Sequence, residues 1–439
     1  MKLRLPHPMV LLLGGVLVAA LLTWVLPAGE YQRRADPETG RQVVIPGTYR
    51  TVERAPVSIL AAAVAVPRGI VDGAEVVVVI LMVGGAFALL DRTGALRRLV
   101  GALVGGPRNP RAVVVMVSLM FATLGALENM HEEIVALIPV LLLLSRGLGF
   151  GAVTALAMSV GAAVVGSAMG PTNPFVTGIA LTYADLPPMS MVGLRFVLFM
   201  AATAVWIGWT LWQGSADDVR PDLQPLPSAR VTGRDGLLLA LVLVPFIPYV
   251  YGVLQLDWGF NELSALFLVA GIAVGLTAGL GVPGTTAGLL QGMEGMLAPA
   301  LFVGVARGIS VVLTDGRVID TIVHGLVTPL ESLPTLVAAG LMVPVHALLH
   351  IPVPSNSGQA VLTMPIMAPM ADLLGLSRQV AVLAYQSGGA VMDMLTPTNG
   401  ALLAMLLAAG VPYGRWLRFA IPGALLVAAV GLVGIALAI

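Results

Sequence analysis

Long apolar runs separated by short polar joints fill the chain. A helical span needs about 20 mostly apolar residues. Runs near that length lie at 8–27, 71–90, 112–127, 134–144 with 151–169, 191–213, 236–254, 263–281, 296–313, 334–351, 359–371 with 379–395, and 416–438. Each predicts a membrane helix or one arm of a helical hairpin. The first run is long, lacks a small-residue cleavage site and is followed by further spans, so it reads as a span and not as a cleaved signal peptide. The stretch 214–235 holds three Pro and mixed charge, and predicts a linker between halves of near-equal length.

The composition agrees with the pattern. Of 439 residues, 58% are hydrophobic and only 10% charged, where soluble domains carry about 25% charged. Mean hydropathy is +0.95. The net charge is zero, which leaves nucleic-acid binding without an electrostatic basis. Cysteine is absent, so disulfides and thiol chemistry are excluded. Basic residues set an orientation. Lys2, Arg4, Arg92, Arg97, Arg98, Arg108, Arg111, Arg146, Arg220, Arg230, Arg234, Arg415 and Arg418 flank the runs. Placing them inside satisfies the positive-inside rule, with a cytoplasmic amino terminus and a carboxyl terminus outside. The polar stretch 28–56 then lies outside, although it carries five Arg beside its acids.

The two halves repeat. A shift of 226 positions carries Pro139 onto Pro365, Gly149 onto Gly375, and Pro171-Thr172-Asn173 onto Pro397-Thr398-Asn399. With the amino terminus inside, residues 112–144 start and end inside, flanked by Arg108, Arg111 and Arg146, and form a re-entrant hairpin with its tip at 128–133. The segment 151–182 runs outward and 191–213 returns. In the second copy the hairpin 334–372, with its tip at 354–358, opens from outside, and 377–410 runs inward. The repeat is therefore expected to be inverted, the arrangement that marks transporter halves. Half boundaries fall at 1–213 and 236–439.

Proline removes a hydrogen bond from a helix interior, so both Pro-Thr-Asn sites predict spans unwound near mid-bilayer. Non-helical backbone at that depth survives only inside protein or along a wet cavity. Its carbonyls can hold a cation such as sodium near Thr172, Asn173, Thr398 and Asn399, and the half-helix beyond each break offers N–H groups to an anion. The competing reading is a Pro kink whose freed backbone is satisfied by Asn and Thr. The hairpin tips supply more candidates: Asn129, Glu132 and Glu133 in the first, Ser355, Asn356 and Ser357 in the second. Acids between apolar runs are functional candidates for a cationic group, a coupling ion or a proton. The competing reading places the first tip at the water surface, where acids cost nothing. His131 reads as a polar loop residue, and the other histidines show no zinc-ligand spacing. Asp393 precedes the second break, where the first copy has Ser167, and Arg307 sits inside an apolar run. Gly84-Gly85 and Gly388-Gly389 read as close helix packing. There is no phosphate-cradling Gly-rich loop with Lys-Ser or Lys-Thr.

Gly125 to Glu133, Gly170-Pro171-Thr172-Asn173-Pro174-Phe175, and the run Pro354 to Trp416 resemble the YfcC-like proteins, which group with the anaerobic four-carbon-dicarboxylate carriers of a larger ion-transporter superfamily. Within that run, Ser355 to Ala360, Met364 to Pro369 and Ser377 to Val382 are the most diagnostic stretches, and Leu26 to Tyr31 also fits. The resemblance implies a bacterial inner-membrane secondary carrier, often dimeric, with a scaffold and a moving transport domain that works as an elevator. Members are described for dicarboxylates or for basic amino acids.

The expectation is an all-α polytopic membrane protein with an inverted repeat, two opposed re-entrant hairpins and two broken transmembrane helices. It transports a small charged organic solute, an amino acid or a dicarboxylate, with sodium, protons or exchange as the coupling and no resident cofactor. The alternatives are a passive channel, which needs a continuous polar pathway, and an intramembrane enzyme, which needs a nucleophile beside a base.

Overall fold

The structure is a computed structural model that describes residues 8–35, 42–105, 109–187, 189–214, 231–256 and 258–439. Lys2, Arg4, Arg108, Arg220, Arg230 and residues 215–230 of the expected linker lie outside the described residues.

The helices of the first half are α1 (Pro8–Val25), α2 (Ile59–Asp72), α3 (Ala74–Arg92), α4 (Ala95–Gly105), α5 (Pro110–Glu128), α6 (Ile134–Gly147), α7 (Ala152–Leu156), α8 (Ala162–Met169), α9 (Ile179–Tyr183) and α10 (Val192–Gln213). The second half holds α11 (Gly233–Leu243), α12 (Phe246–Gln255), α13 (Phe260–Thr277), α14 (Gly281–Asp315), α15 (Ile319–Val327), α16 (Thr335–Leu349), α17 (Asn356–Leu373), α18 (Arg378–Gly388), α19 (Gly400–Ala409) and α20 (Tyr413–Ala438). Among the described residues, 7 helical segments are long and apolar enough to cross a membrane. Their outward faces stay apolar, as with Val269, Ile272 and Leu276 on α13 and Ile421, Leu425 and Leu432 on α20. Such faces are costly in water and ordinary in lipid.

Several expectations need correcting. The chain is not purely helical: strands β1 (Gly29–Glu30), β2 (Arg33–Ala35), β3 (Gln42–Val44) and β4 (Arg50–Thr51) pair antiparallel as β1 with β4 and β2 with β3. Too short and polar to show as apolar runs, these ladders are tied to α15. Asp320 accepts from the Tyr31 backbone N–H at 2.9 Å and from Arg33 at 2.7 Å, and Tyr49 stacks on His324. Burial pushes the Tyr31 phenol up to about 12, with help from the Asp320 charge. The run 236–254 is two helices, because Pro245 interrupts it. The run at 296–313 belongs to a 35-residue helix. Helix α2 lies largely ahead of the run expected at 71–90. The second hairpin turns at 350–355, ahead of the expected 354–358, since Ser355 caps α17 by accepting from the Gly358 N–H.

The hairpins and broken helices pack in matching ways. Arm α5 lies along α8, and arm α16 along α18; arm α6 lies on α19, and arm α17 on α9. Close approach depends on missing side chains. A Cβ on Gly166 would lie 1.9 Å from the Ala122 carbonyl oxygen, and one on Gly388 2.0 Å from that of Val343. Gly388 thus serves close packing, as its pattern predicted, and Gly84 does the same against Met296. Gly166→Ala is expected to force α5 and α8 apart, an overpacking cost of about 1–3 kcal/mol or more. A drop in melting temperature of the purified variant checks this, and an unchanged melt would contradict it.

Tryptophans donate to carbonyls at the helical irregularities. Residues Ala157–Gly161 widen into a π turn, and the Ala157 carbonyl accepts from Trp206 Nε1 at 2.9 Å. In the second half Ala390–Met394 tighten into 3₁₀ geometry, and the Met394 carbonyl accepts from Trp416 Nε1 at 2.7 Å. Both indoles come from the long helix next in the chain after the broken one. For Ala157 the indole is a second donor, since its carbonyl also accepts from the Ala162 N–H across the π turn.

Candidate functional site

The two hairpin tips and the second break meet at one cavity of about 370 Å³, within the usual range for small-molecule sites. Asn129, Glu132 and Glu133 line it from the first tip, and Ser355, Asn356 and Ser357 from the second. Asp393, Thr398 and Asn399 line it from the second broken helix, and Arg307 of α14 and Asp72 of α2 close another side. The first tip is not an ordinary surface loop: Met130 is 1% exposed, His131 5% and Glu133 4%. A loop so buried must satisfy its own polar groups. Accordingly Glu133 accepts from the His131 backbone N–H at 3.1 Å.

The two breaks differ in what they offer. Asn173 and Asn399 are both N-caps, the local chemistry their repeated motif predicts. The Asn399 amide oxygen accepts from the Leu402 N–H at 3.0 Å, while its nitrogen donates to Asp393 Oδ1 at 3.0 Å, facing the cavity. Asn173 is fully buried away from that cavity. Its oxygen accepts from the Phe175 and Val176 N–H groups at 2.9 and 2.7 Å, and its nitrogen donates to the Gly125 carbonyl at 2.7 Å. Neighbouring carbonyls are taken as well: that of Gly170 accepts from Thr177 Oγ1, and that of Ala168 from Gln386 Nε2. Thr172 is exposed and does not line the cavity. The first break therefore matches the capped-kink reading, and a sodium site at Thr172 and Asn173 finds their neighbourhood already hydrogen-bonded. The first break reaches the cavity through Phe175, while the second brings Thr398 and Asn399 to it.

Asp393 is the hub. Its Oδ1 lies 2.9 Å from His350 Nε2, and its Oδ2 accepts from Asn356 Nδ2 at 2.6 Å and lies 3.6 Å from His131 Nδ1. The other ring nitrogen of His131 lies 3.0 Å from Ser167 Oγ. The repeat-related positions Ser167 and Asp393 thus grip one histidine from two sides, and one carboxylate ties both hairpin tips to a broken helix. Among the described residues no group of three or more His, Asp and Glu is arranged to hold a metal ion.

Two acceptors at the cavity have no hydrogen-bond partner, the buried Asn129 Oδ1 and Asn356 Oδ1. Buried acceptors left unpaired are costly unless something supplies a donor or a cation. Arg307, read from sequence as an intramembrane charge, pairs with Asp72 at 2.9 Å.

Sequence reasoning missed His350, which it set aside with the other histidines for want of ligand spacing. The available signal was its place at the start of the second tip, with His131 in the first.

Membrane-length helices around a charged cavity make this a multi-span membrane protein, and its family makes it a transporter. The chain belongs to the C4-dicarboxylate anaerobic carrier family, whose model DcuC matches residues 5–439. It is 28% identical over 466 residues to the Escherichia coli (strain K12) protein named "Putative basic amino acid antiporter YfcC", covering 94% of this chain and 92% of that one. An uncharacterized protein of Haemophilus influenzae is 28% identical over 476 residues, covering 95% of this chain and 93% of the relative. Among solved structures, the YdaH transporter of Alcanivorax borkumensis aligns over 98% of both chains with 16% identity and a TM-score of 0.46. MtrF of Neisseria gonorrhoeae aligns over 99% of this chain and 95% of its own, with 15% identity and a TM-score of 0.44.

Proposed function

We propose that the protein is a secondary active transporter of an amino acid, basic ones included, across the bacterial inner membrane. It works by ion coupling or exchange with an elevator-type motion of the hairpins and broken helices, and its amino terminus is cytoplasmic. The observation that carries this reading is the cavity where both tips meet. Asp72, Glu132, Glu133 and Asp393 line it together with Arg307. That set suits an ammonium or guanidinium group. The first turns of α17 and α19 also line the cavity, and their N–H groups suit a carboxylate. An amino acid uses both. The E. coli relative's name agrees with a cationic solute. The matching packing of the two hairpin and broken-helix pairs supports an inverted repeat. Sodium or a proton is the coupling ion, and a homodimer is in keeping with the family resemblance.

A second reading, transport of a dicarboxylate, is favoured by the helix starts, by Arg307 and by the family's description. An uptake screen in proteoliposomes across amino acids and dicarboxylates, with sodium and proton gradients imposed separately, separates the two. Gradient-independent leakage of every solute would point to a channel.

Glu132→Gln is expected to cut uptake or change its ion dependence while leaving the protein folded. The replacement keeps the shape and removes the charge, and an interaction with a charged group is worth about 1.5–3 kcal/mol. Wild-type rates with unchanged pH and sodium dependence would remove this tip from the site.

A further inference from the structure

The hydrogen bonds around His350 count protons. The residue is fully buried, with its ring held between two side chains. Gln359 donates from Nε2 to the His346 carbonyl at 2.8 Å, which fixes the orientation of its amide. Its oxygen therefore faces His350 Nδ1, at 2.7 Å. An amide oxygen only accepts, so Nδ1 carries a hydrogen. On the far side Nε2 lies 2.9 Å from Asp393 Oδ1. A neutral ring already protonated at Nδ1 has only a lone pair at Nε2. Against a carboxylate, that would be acceptor facing acceptor. The contact closes only with one more proton, either on Nε2 beside a carboxylate or on Asp393 beside a neutral ring.

We infer that His350 and Asp393 together bind one exchangeable proton, and that this is the coupling proton, displaced when a cationic solute enters beside Asp393. The inference rests on the transport reading above and names its coupling ion. Asp393 lines the cavity while His350 lies behind it. A cation and the proton therefore compete for one carboxylate. On release the proton passes to cavity water, the Nε2–H or carboxyl O–H bond breaks, and the pair goes from neutral to one negative charge. The solute's positive charge replaces what left, which is exchange of a cation for a proton.

The groups facing the pair come from every element around it. From the first tip come His131, Glu132 and Glu133. From α18, Tyr385 donates to the Asn356 carbonyl at 2.7 Å. From α16, His346 stands behind Gln359, and Arg307 and Asp72 lie across the cavity. Among the described residues, the acids of that surround outnumber its arginine.

The test uses the full-length protein in liposomes, labelled with nitrogen-15 histidine, with L-arginine as the cationic probe and succinate as its anionic counterpart. Solid-state NMR from about pH 5 to pH 8, the range where histidine ordinarily changes charge, reads both ring nitrogens of His350. The expected result is Nδ1 protonated throughout and Nε2 losing its proton as pH rises. Arginine should move that change to lower pH, since it binds the deprotonated pair, and succinate should not. A His350 ring bare at Nδ1 and protonated at Nε2 would overturn the inference, as would a titration that ignores arginine. The His350→Gln spectrum assigns the resonance; if that variant misfolds, a contact to carbon-13-labelled Gln359 in the wild type assigns it. In the same liposomes with a trapped pH dye, arginine entry should make the lumen alkaline, and entry without a pH change would also overturn the coupling. Failure of every solute in the uptake screen counts against the transport reading, and the NMR result still decides the proton site by itself.

Discussion

Asp393→Asn is expected to leave the protein folded while slowing transport by about one to two orders of magnitude. The amide oxygen of the replacement can still accept from Asn356 or Asn399. Its nitrogen can donate to His350 Nε2 once that ring is neutral. The shape and most hydrogen bonds of the hub therefore persist. What disappears is the negative charge that joins both tips to the second break. A hydrogen bond to a charged group is worth about 1.5–3 kcal/mol, and about 1.4 kcal/mol corresponds to a factor of ten. Initial uptake rates and melting temperature on the same preparation check both halves. A wild-type rate would show that the carboxylate only braces the tips, and a collapsed melt would place its role in folding.

The two capping asparagines are expected to part company, although their motifs are identical. Asn173→Ala removes the acceptor of two N–H groups, one of them on the buried Val176. A lost cap costs about 0.5–2 kcal/mol, and a stranded buried donor about 1–3 kcal/mol. These overlap, so a loss of about 2–3 kcal/mol in stability is expected, with normal substrate affinity in the protein that folds. Asn399→Ala also loses a cap, but it takes away a cavity-facing donor to Asp393. Apparent affinity should weaken about tenfold, the worth of one such hydrogen bond. Melting and binding measured together on each variant test the contrast. Equal affinity losses in both would restore the symmetric site that the repeat alone predicts.

Much of the architecture was legible in the sequence because it comes from local rules. A run of about 20 apolar residues is a span wherever it folds, and the helices track the runs closely. Helix α8 stops just ahead of Pro171 because a proline lacks an N–H, whatever surrounds it, whereas α18 already ends at Gly388, well before Pro397. Asn173 and Asn399 cap the next helical segment for an equally local reason. Polar tips between apolar arms marked the residues of the cavity. Short polar strands, and helices interrupted or extended past their apolar centres, gave weaker signals, and those were the elements misread.

Pairing across the chain was decided only by the tertiary structure. Identical Pro-Thr-Asn sequences became different things because Gly125, Thr177 and Gln386 close around the first break, while the second faces open space beside Arg307. His131 and His350 carry no spacing signal, since each comes from a different hairpin, and Asp393 becomes their common partner only when both tips fold inward. A histidine's meaning lies in what its two nitrogens touch. That depends on packing between segments far apart in the chain, which hydropathy and motif spacing do not encode.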